Sequence, residues 1–258
     1  MYELNKLELL TDWGGGVYRD GDKAIKRLKN TSYDDAVIDT KKHIFAYESG
    51  LPVPQIHEIT KYNETDILIV MDYIAEKPFV YAGMDTEYRD GAMRTMGKLL
   101  SMIHTMDTSE IQEENDYSLR YKNDIIVSPY ITEGLKEPLI SLFDRLHRNK
   151  RTFYHGDMGV HNLSFDGKKH WIIDWSGPFC GNPAADACNA YIYTKRYDIC
   201  CADTFLQAYC DFSGMDICEV LDWFPIMAVH QMDIKDDDDR AVIQGFFYEN
   251  IDNIGIIR

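Results

Sequence analysis

Long hydrophobic runs are missing from this chain of 258 residues. The longest aliphatic stretch is Ile67–Met71, far below the roughly 20 apolar residues that a bilayer-crossing helix needs. Met1 to Leu10 carries acids where a secretory leader would be basic, so a soluble, cytoplasmic protein with no membrane partner is expected. Basic residues are scarce as well. Lys and Arg number 27 against 43 Asp and Glu, a net charge of −16, and that field repels a phosphate backbone, which excludes nucleic acid as a partner. Cysteine is absent before Cys180. The six that occur from there on form no C-x-x-C pair and no repeated ligand spacing, so reduced, mostly buried thiols are expected in place of a disulfide framework or a zinc site. No tract rich in Gly, Pro or Ser interrupts the chain, and 45% hydrophobic with 27% charged residues is a globular composition.

What is present divides into two styles. Residues 1–78 read as short strands around one helix. Trp13-Gly14-Gly15-Gly16 leads into Val17-Tyr18-Arg19, an Asp20-Gly21-Asp22 turn and Lys23 to Leu28, the pattern of a hairpin entered through a glycine-rich loop. Thr31 or Ser32 is placed to cap a helix running towards Glu48, which Gly50, Pro52 and Pro54 stop. Ile67 to Met71 has strand length, and Asp72 to Pro78 leaves it as a connector. Residues 79–258 read as mainly helical: Met93, Met96, Leu100 and Ile103 recur at helical spacing, as do Leu135, Leu139, Leu142, Phe143 and Leu146. Glu113 to Asp124 reads as a polar loop. Helical patterns return over Ala187 to Phe212, Met215 to His230 and from the acidic run Asp236 to Asp239. The expected fold class is therefore α+β, with a small N-terminal antiparallel β lobe and a larger helical C-terminal lobe.

Chemically capable residues crowd into Tyr154-His155-Gly156-Asp157 with Asn162, and Trp171-Ile172-Ile173-Asp174-Trp175. Asp166-Gly167 between two strand-like segments predicts a hairpin. Pairing Phe165 with Trp171 sets Asn162 and Asp174 opposite one another at its open end, beside Asp157. Such oxygen donors suit a hard cation such as Mg²⁺. Asp157 precedes Asn162 by five residues, the spacing by which phosphoryl-transfer loops put a carboxylate near the substrate hydroxyl and an amide oxygen on the metal.

His155-Gly156-Asp157 with Asn162, then Ile173-Asp174-Trp175, then Gly181-Asn182-Pro183-Ala184-Ala185-Asp186 resembles the H-G-D-x-x-x-x-N, I-D-W and G-x-P-x-x-D series of the aminoglycoside phosphotransferase family, which includes choline-kinase-like small-molecule kinases. The resemblance implies a bilobal protein-kinase-like fold and a small-molecule kinase that uses ATP or GTP with Mg²⁺ to phosphorylate a hydroxyl of a small molecule. It implies Asp157 as the catalytic carboxylate and Asn162 and Asp174 as metal ligands. Gly14, Gly15 and Gly16 would cover the phosphates, Lys26 would reach them, and backbone groups near Tyr73 and Ile74 would take the adenine. Ala24 and Lys26 share one face of their strand. Asp39 stands nearest the position where the family carries a helix glutamate paired with the strand lysine. I-D-W in place of D-F-G, with no A-P-E, points away from protein substrates.

Residues 187–258 hold 13 acids against five bases. They read as a solvated face, or as the wall of a pocket for a cationic amine or aminosugar. Asp186 reads as a cap of the helix after it, ahead of direct chemistry, and Asp211-Phe212-Ser213-Gly214 as a helix end. Two alternative readings are a nucleotide-binding module without transfer activity, and a metallohydrolase with His155, His161, His170, Asp157 and Asp174 as ligands.

Overall fold

The computed structural model describes residues 2–75, 77–78, 86–109, 111, 119–147, 151–175, 179–234 and 236–251. In chain order the elements are β1 (Glu8–Thr11), β2 (Val17–Asp20), β3 (Lys23–Leu28), α1 (Tyr33–Glu48), β4 (Ile56–Lys61), β5 (Ile67–Asp72), β6 (Lys77–Pro78), α2 (Thr86–His104), α3 (Leu119–Val127), α4 (Glu133–Leu146) and β7 (Thr152–Phe153). There follow β8 (Leu163–Phe165), β9 (His170–Ile172), β10 (Cys180–Gly181), α5 (Pro183–Lys195), α6 (Ile199–Ser213), α7 (Ile217–Leu221), α8 (Phe224–Ile234) and α9 (Asp237–Ile251). They form two compact units: Met1–Phe79 with His161–Gly177, and Val80–Val160 with Pro178–Arg258. The first boundary falls one residue from that read in the sequence. The hairpin segment 161–177, assigned to the second lobe on sequence, groups with the first unit.

In the first unit an antiparallel sheet of order β1-β2-β3-β5-β4 is joined by a second sheet, β6-β8-β9. Strand β5 reads as an unbroken apolar run because it is central: β3 and β4 pair with it on either side, and Ile67, Leu68, Ile69 and Val70 are all buried. Its two faces have separate duties. Leu68 and Val70 pack with Ile25 and Leu4 in a core cluster, while Ile69 and Met71 line a cavity. The same alternation on β3 sends Ile25 to the core and Ala24 with Lys26 to the cavity. Helix α1 starts where the sequence places it: the Ser32 hydroxyl accepts the Asp35 N–H at 3.1 Å, a cap that stabilises a helix by about 1 kcal/mol.

The β8–β9 hairpin forms with a register one residue away from the expected one. Phe165 pairs with His170, Ser164 with Trp171 and Leu163 with Ile172. The cause is Asp166, whose carboxylate accepts the N–H groups of Lys168 (2.7 Å) and Lys169 (2.9 Å) and the Trp171 indole N–H (2.8 Å). That Asx-type turn closes the loop one residue sooner than the Phe165–Trp171 pairing requires.

The second unit is helical and, among the described residues, has one short ladder, between β7 and β10. The predicted core positions of α2 and α4 are all buried. A Cβ on Gly97 of α2 would lie 2.7 Å from the Tyr209 nitrogen of α6, so these helices meet closer than any larger residue permits. Three sequence readings are corrected here. The stretch Ala187 to Phe212 is two helices, because Asp198 caps a new one by accepting the Cys201 N–H at 3.1 Å. Met215 to His230 likewise divides into α7 and α8. Part of the supposed loop Glu113 to Asp124 is the start of α3, while residues 113–118 lie outside the described ones. Gly214, at φ 72°, ends α6, as the Asp211–Gly214 reading held. No helix among the described residues is long and apolar enough to cross a membrane, and the six cysteines form no disulfide.

Candidate active site

The first unit encloses a cavity of about 520 Å³, within the range that takes a small ligand or cofactor. One part of its wall is apolar: Val17, Ala24, Ile69, Met71 and Ile74. Another is polar and charged: Lys26, Asn162, Ser164 and Asp174. Lys26 Nζ donates to Asp174 Oδ1 at 2.8 Å. Asn162 and Asp174 come together through the hairpin's open end, where Asn162 C=O accepts the Ile173 N–H at 2.9 Å. Asp174 itself has φ 60°, a left-handed conformation that disfavours a residue with a Cβ and is typical of functional positions. Trp175 is buried, and its indole N–H returns to the Ile172 carbonyl at 3.2 Å, so it clamps the chain just beyond that turn.

Other expected residues fall into place unevenly. Gly14 lines the cavity. Gly15 and Gly16 do not; they permit close approach to neighbouring chain. A Cβ on Gly15 would collide with the Arg27 carbonyl oxygen, and Gly16 C=O accepts the Arg27 N–H at 2.9 Å. Tyr73 and Ile74 both line the cavity, but the Tyr73 N–H is already donated to Asp22 C=O at 2.9 Å. Asp39 is exposed and also lines the cavity; the carboxylate bonded to Lys26 is that of Asp174.

Helix α1 adds two cavity residues that the sequence reading did not mark, Thr40 and His43. With Asp39 they follow the i, i+1, i+4 pattern of one helix face, the signal that could have found them. The His43 ring bonds the Pro54 carbonyl through Nε2 at 2.6 Å. Burial pushes its pKa below the ordinary 6.5, against the pull of that bond.

The second unit carries the H-G-D loop. Gly156 has φ 89°, and a Cβ there would press on the Tyr154 ring at 3.3 Å. His155 is buried, and its Nδ1 accepts the Asp157 N–H at 3.3 Å. Behind the loop lies Asp186. Its carboxylate accepts the N–H groups of His155 (2.8 Å) and Gly156 (3.0 Å), and His104 Nε2 lies 3.2 Å from it. The expectation that Asp186 caps α5 is therefore corrected: Asn182 is the cap, accepting the Ala184 N–H at 2.9 Å, and Asp186 holds the H-G-D backbone. Burial raises the Asp186 pKa, but the bond and charge of His104, the charge of His155 and the His155 N–H together hold the carboxyl below its ordinary 3.8.

The Asp174 carboxylate and the Asn162 amide oxygen, beside the Lys26 ammonium, suit a hard cation carried in with a polyanion. A β-rich unit with a strand lysine and such a hairpin, followed by a helical unit with an anchored H-G-D loop, defines a kinase-type phosphotransferase. Residues 18–221 match the model of the phosphotransferase enzyme family, and the chain belongs to that family. No curated protein matches it. Among solved structures it is similar to a choline/ethanolamine kinase family protein from Mesorhizobium loti, with TM-score 0.68, 17% identity and coverage of 97% of this chain and 90% of that one. It is similar also to a thermostable mutant aminoglycoside phosphotransferase in ternary complex with AMP-PNP and hygromycin B, with TM-score 0.67, 14% identity and coverage of 98% and 95%. An aminoglycoside-3'-phosphotransferase of type VIII gives TM-score 0.61, 15% identity and coverage of 92% of each chain. The fold is thus the protein-kinase-like α+β fold of these enzymes.

Proposed function

We propose that this enzyme transfers the γ-phosphoryl group of ATP or GTP to a hydroxyl of a small molecule. The observation that carries the reading is the Lys26–Asp174 pair at 2.8 Å in a cavity that Asn162 also lines. The apolar wall would take the base, with the Ile74 backbone and the Tyr73 carbonyl at its edge. Lys26 would bind the α- and β-phosphates. Asn162 and Asp174 would hold Mg²⁺, which when bound offsets the phosphate charge. The Lys26–Asp174 pair is partly exposed, and such pairs contribute only about 0–1 kcal/mol. An incoming phosphate can therefore take over the ammonium at little cost.

Asp157 would accept or orient the proton of the acceptor hydroxyl as its oxygen bonds to the γ-phosphorus and the bond to the bridging oxygen breaks, releasing the nucleoside diphosphate. The Gly14 turn would lie over the phosphates. The ADP and AMP-PNP complexes of similar structures support an adenine nucleotide as donor. The excess of acids in residues 187–258 favours a cationic acceptor such as an amine or aminosugar.

The test is a screen of aminoglycosides, choline-like amines, sugars, amino alcohols and nucleosides with ATP or GTP and Mg²⁺, read by mass gain of one phosphoryl group. Asp157→Ala should cost at least about a hundredfold in turnover. Nucleotide binding without acceptor-dependent ADP or GDP release would instead indicate a non-catalytic module.

A further inference from the structure

Asp157 is joined to the rest of its loop by the Gly156–Asp157 peptide, and that peptide is held at both ends. Its N–H goes to His155 Nδ1 at 3.3 Å, and its carbonyl, that of Gly156, accepts from Asn189 Nδ2 at 3.2 Å. Asn189 lies one helical turn beyond Asp186 on α5 and is likewise buried. Gln231, from α8, donates through Nε2 to Asn189 Oδ1 at 2.9 Å and to the Asn189 carbonyl at 2.8 Å. An amide whose oxygen is occupied by a donor must turn its NH₂ the other way. Gln231 thus fixes the orientation in which Asn189 can donate to Gly156.

A glycine makes such a restraint matter. At φ 89° Gly156 lacks the Cβ that would limit rotation of the following peptide. Asp186 secures the N–H groups of His155 and Gly156, which belong to the two preceding peptides, and it leaves the Gly156–Asp157 peptide untouched. We infer that Asn189, oriented by Gln231, is a positioning residue that sets the direction of the Asp157 carboxylate by pinning the Gly156 carbonyl. The inference rests on the phosphotransfer role given to Asp157. Its physical content, a pinned peptide, does not.

The experiment compares wild type with Asn189→Ala, Asn189→Asp and Gln231→Met in the full chain, using ATP, Mg²⁺ and the acceptor that wild type phosphorylates fastest in the screen above. Misplacing a reacting group by about 1 Å costs on the order of a hundredfold. Asn189→Ala should therefore lower kcat about thirtyfold or more while KM for ATP stays within about twofold. Asn189→Asp, which turns an acceptor towards the Gly156 carbonyl, should lose at least as much; Gln231→Met, which keeps the volume, should lose less. Hydrogen exchange at the Asp157 amide should quicken in all three, with or without ATP. A folded Asn189→Ala with kcat within about twofold of wild type and unchanged exchange overturns the proposal. Should Asn189→Ala not fold, Gln231→Met decides by the same two readings. If wild type phosphorylates no acceptor, the functional reading fails, and exchange alone decides the pinning.

Discussion

Asp174 and Asp186 sit in different units and answer the cost of a carboxylate in opposite ways. The Asp174 side chain is 45% exposed, faces a cavity and has a lysine partner 32% exposed. The Asp186 side chain is 0% exposed, its His104 partner 5%, and its acceptor positions are filled by backbone N–H groups. A charge bound by exposed partners can exchange them for a ligand. One buried among its own chain's donors cannot, and it serves to hold a loop.

The sharpest way to break that contrast is Asp186→Ala, which takes the carboxylate away from the His155 and Gly156 N–H groups and from His104 Nε2. The expected loss is about 3–5 kcal/mol of stability, read from the midpoint of urea unfolding; a loss under about 1 kcal/mol would erase the distinction. Asp174→Asn should do the reverse. Its stability should stay within about 1 kcal/mol of wild type, while turnover with the screened acceptor falls at least about a hundredfold. Acid should loosen the hairpin leading to Asp174 more gently. The Lys169 and Lys168 N–H groups and the Trp171 indole hold Asp166 at about 2 against an ordinary 3.8. A carboxyl depressed in the folded state contributes stability that is complete above 3.8 and declines as pH falls towards about 2. The Trp171 indole N–H resonance should follow that decline. A transition centred at or above 3.8 would contradict the turn described.

The legible parts of this molecule are those whose chemistry is confined to a short span. His155 to Asp174 states its loop and hairpin within about twenty residues, and the alternation of β3 and β5 separates core from cavity faces without help from the rest of the chain. What stayed hidden depends on distant partners. Asp186 looks like any first-turn acid, because the N–H groups it accepts lie thirty and thirty-one residues away. Asn189 acquires a purpose only beside Gln231, forty-two residues on. Thr40 and His43 are ordinary helix residues until the phase of α1 is known. The hairpin register slipped by one because a side chain, Asp166, closes the turn.

The first unit is discontinuous along the gene. A polypeptide stopped at Phe79 would contain β6 without β8, the strand that pairs with it. A recombinant version of this unit would have to splice His161–Gly177 onto its end through a designed linker. For the same reason, exchanging the first eighty or so codons with those of a relative would trade away most of the cavity while keeping the old Asn162, Ser164 and Asp174. Such chimaeras should be planned with the hairpin as part of the exchanged cassette.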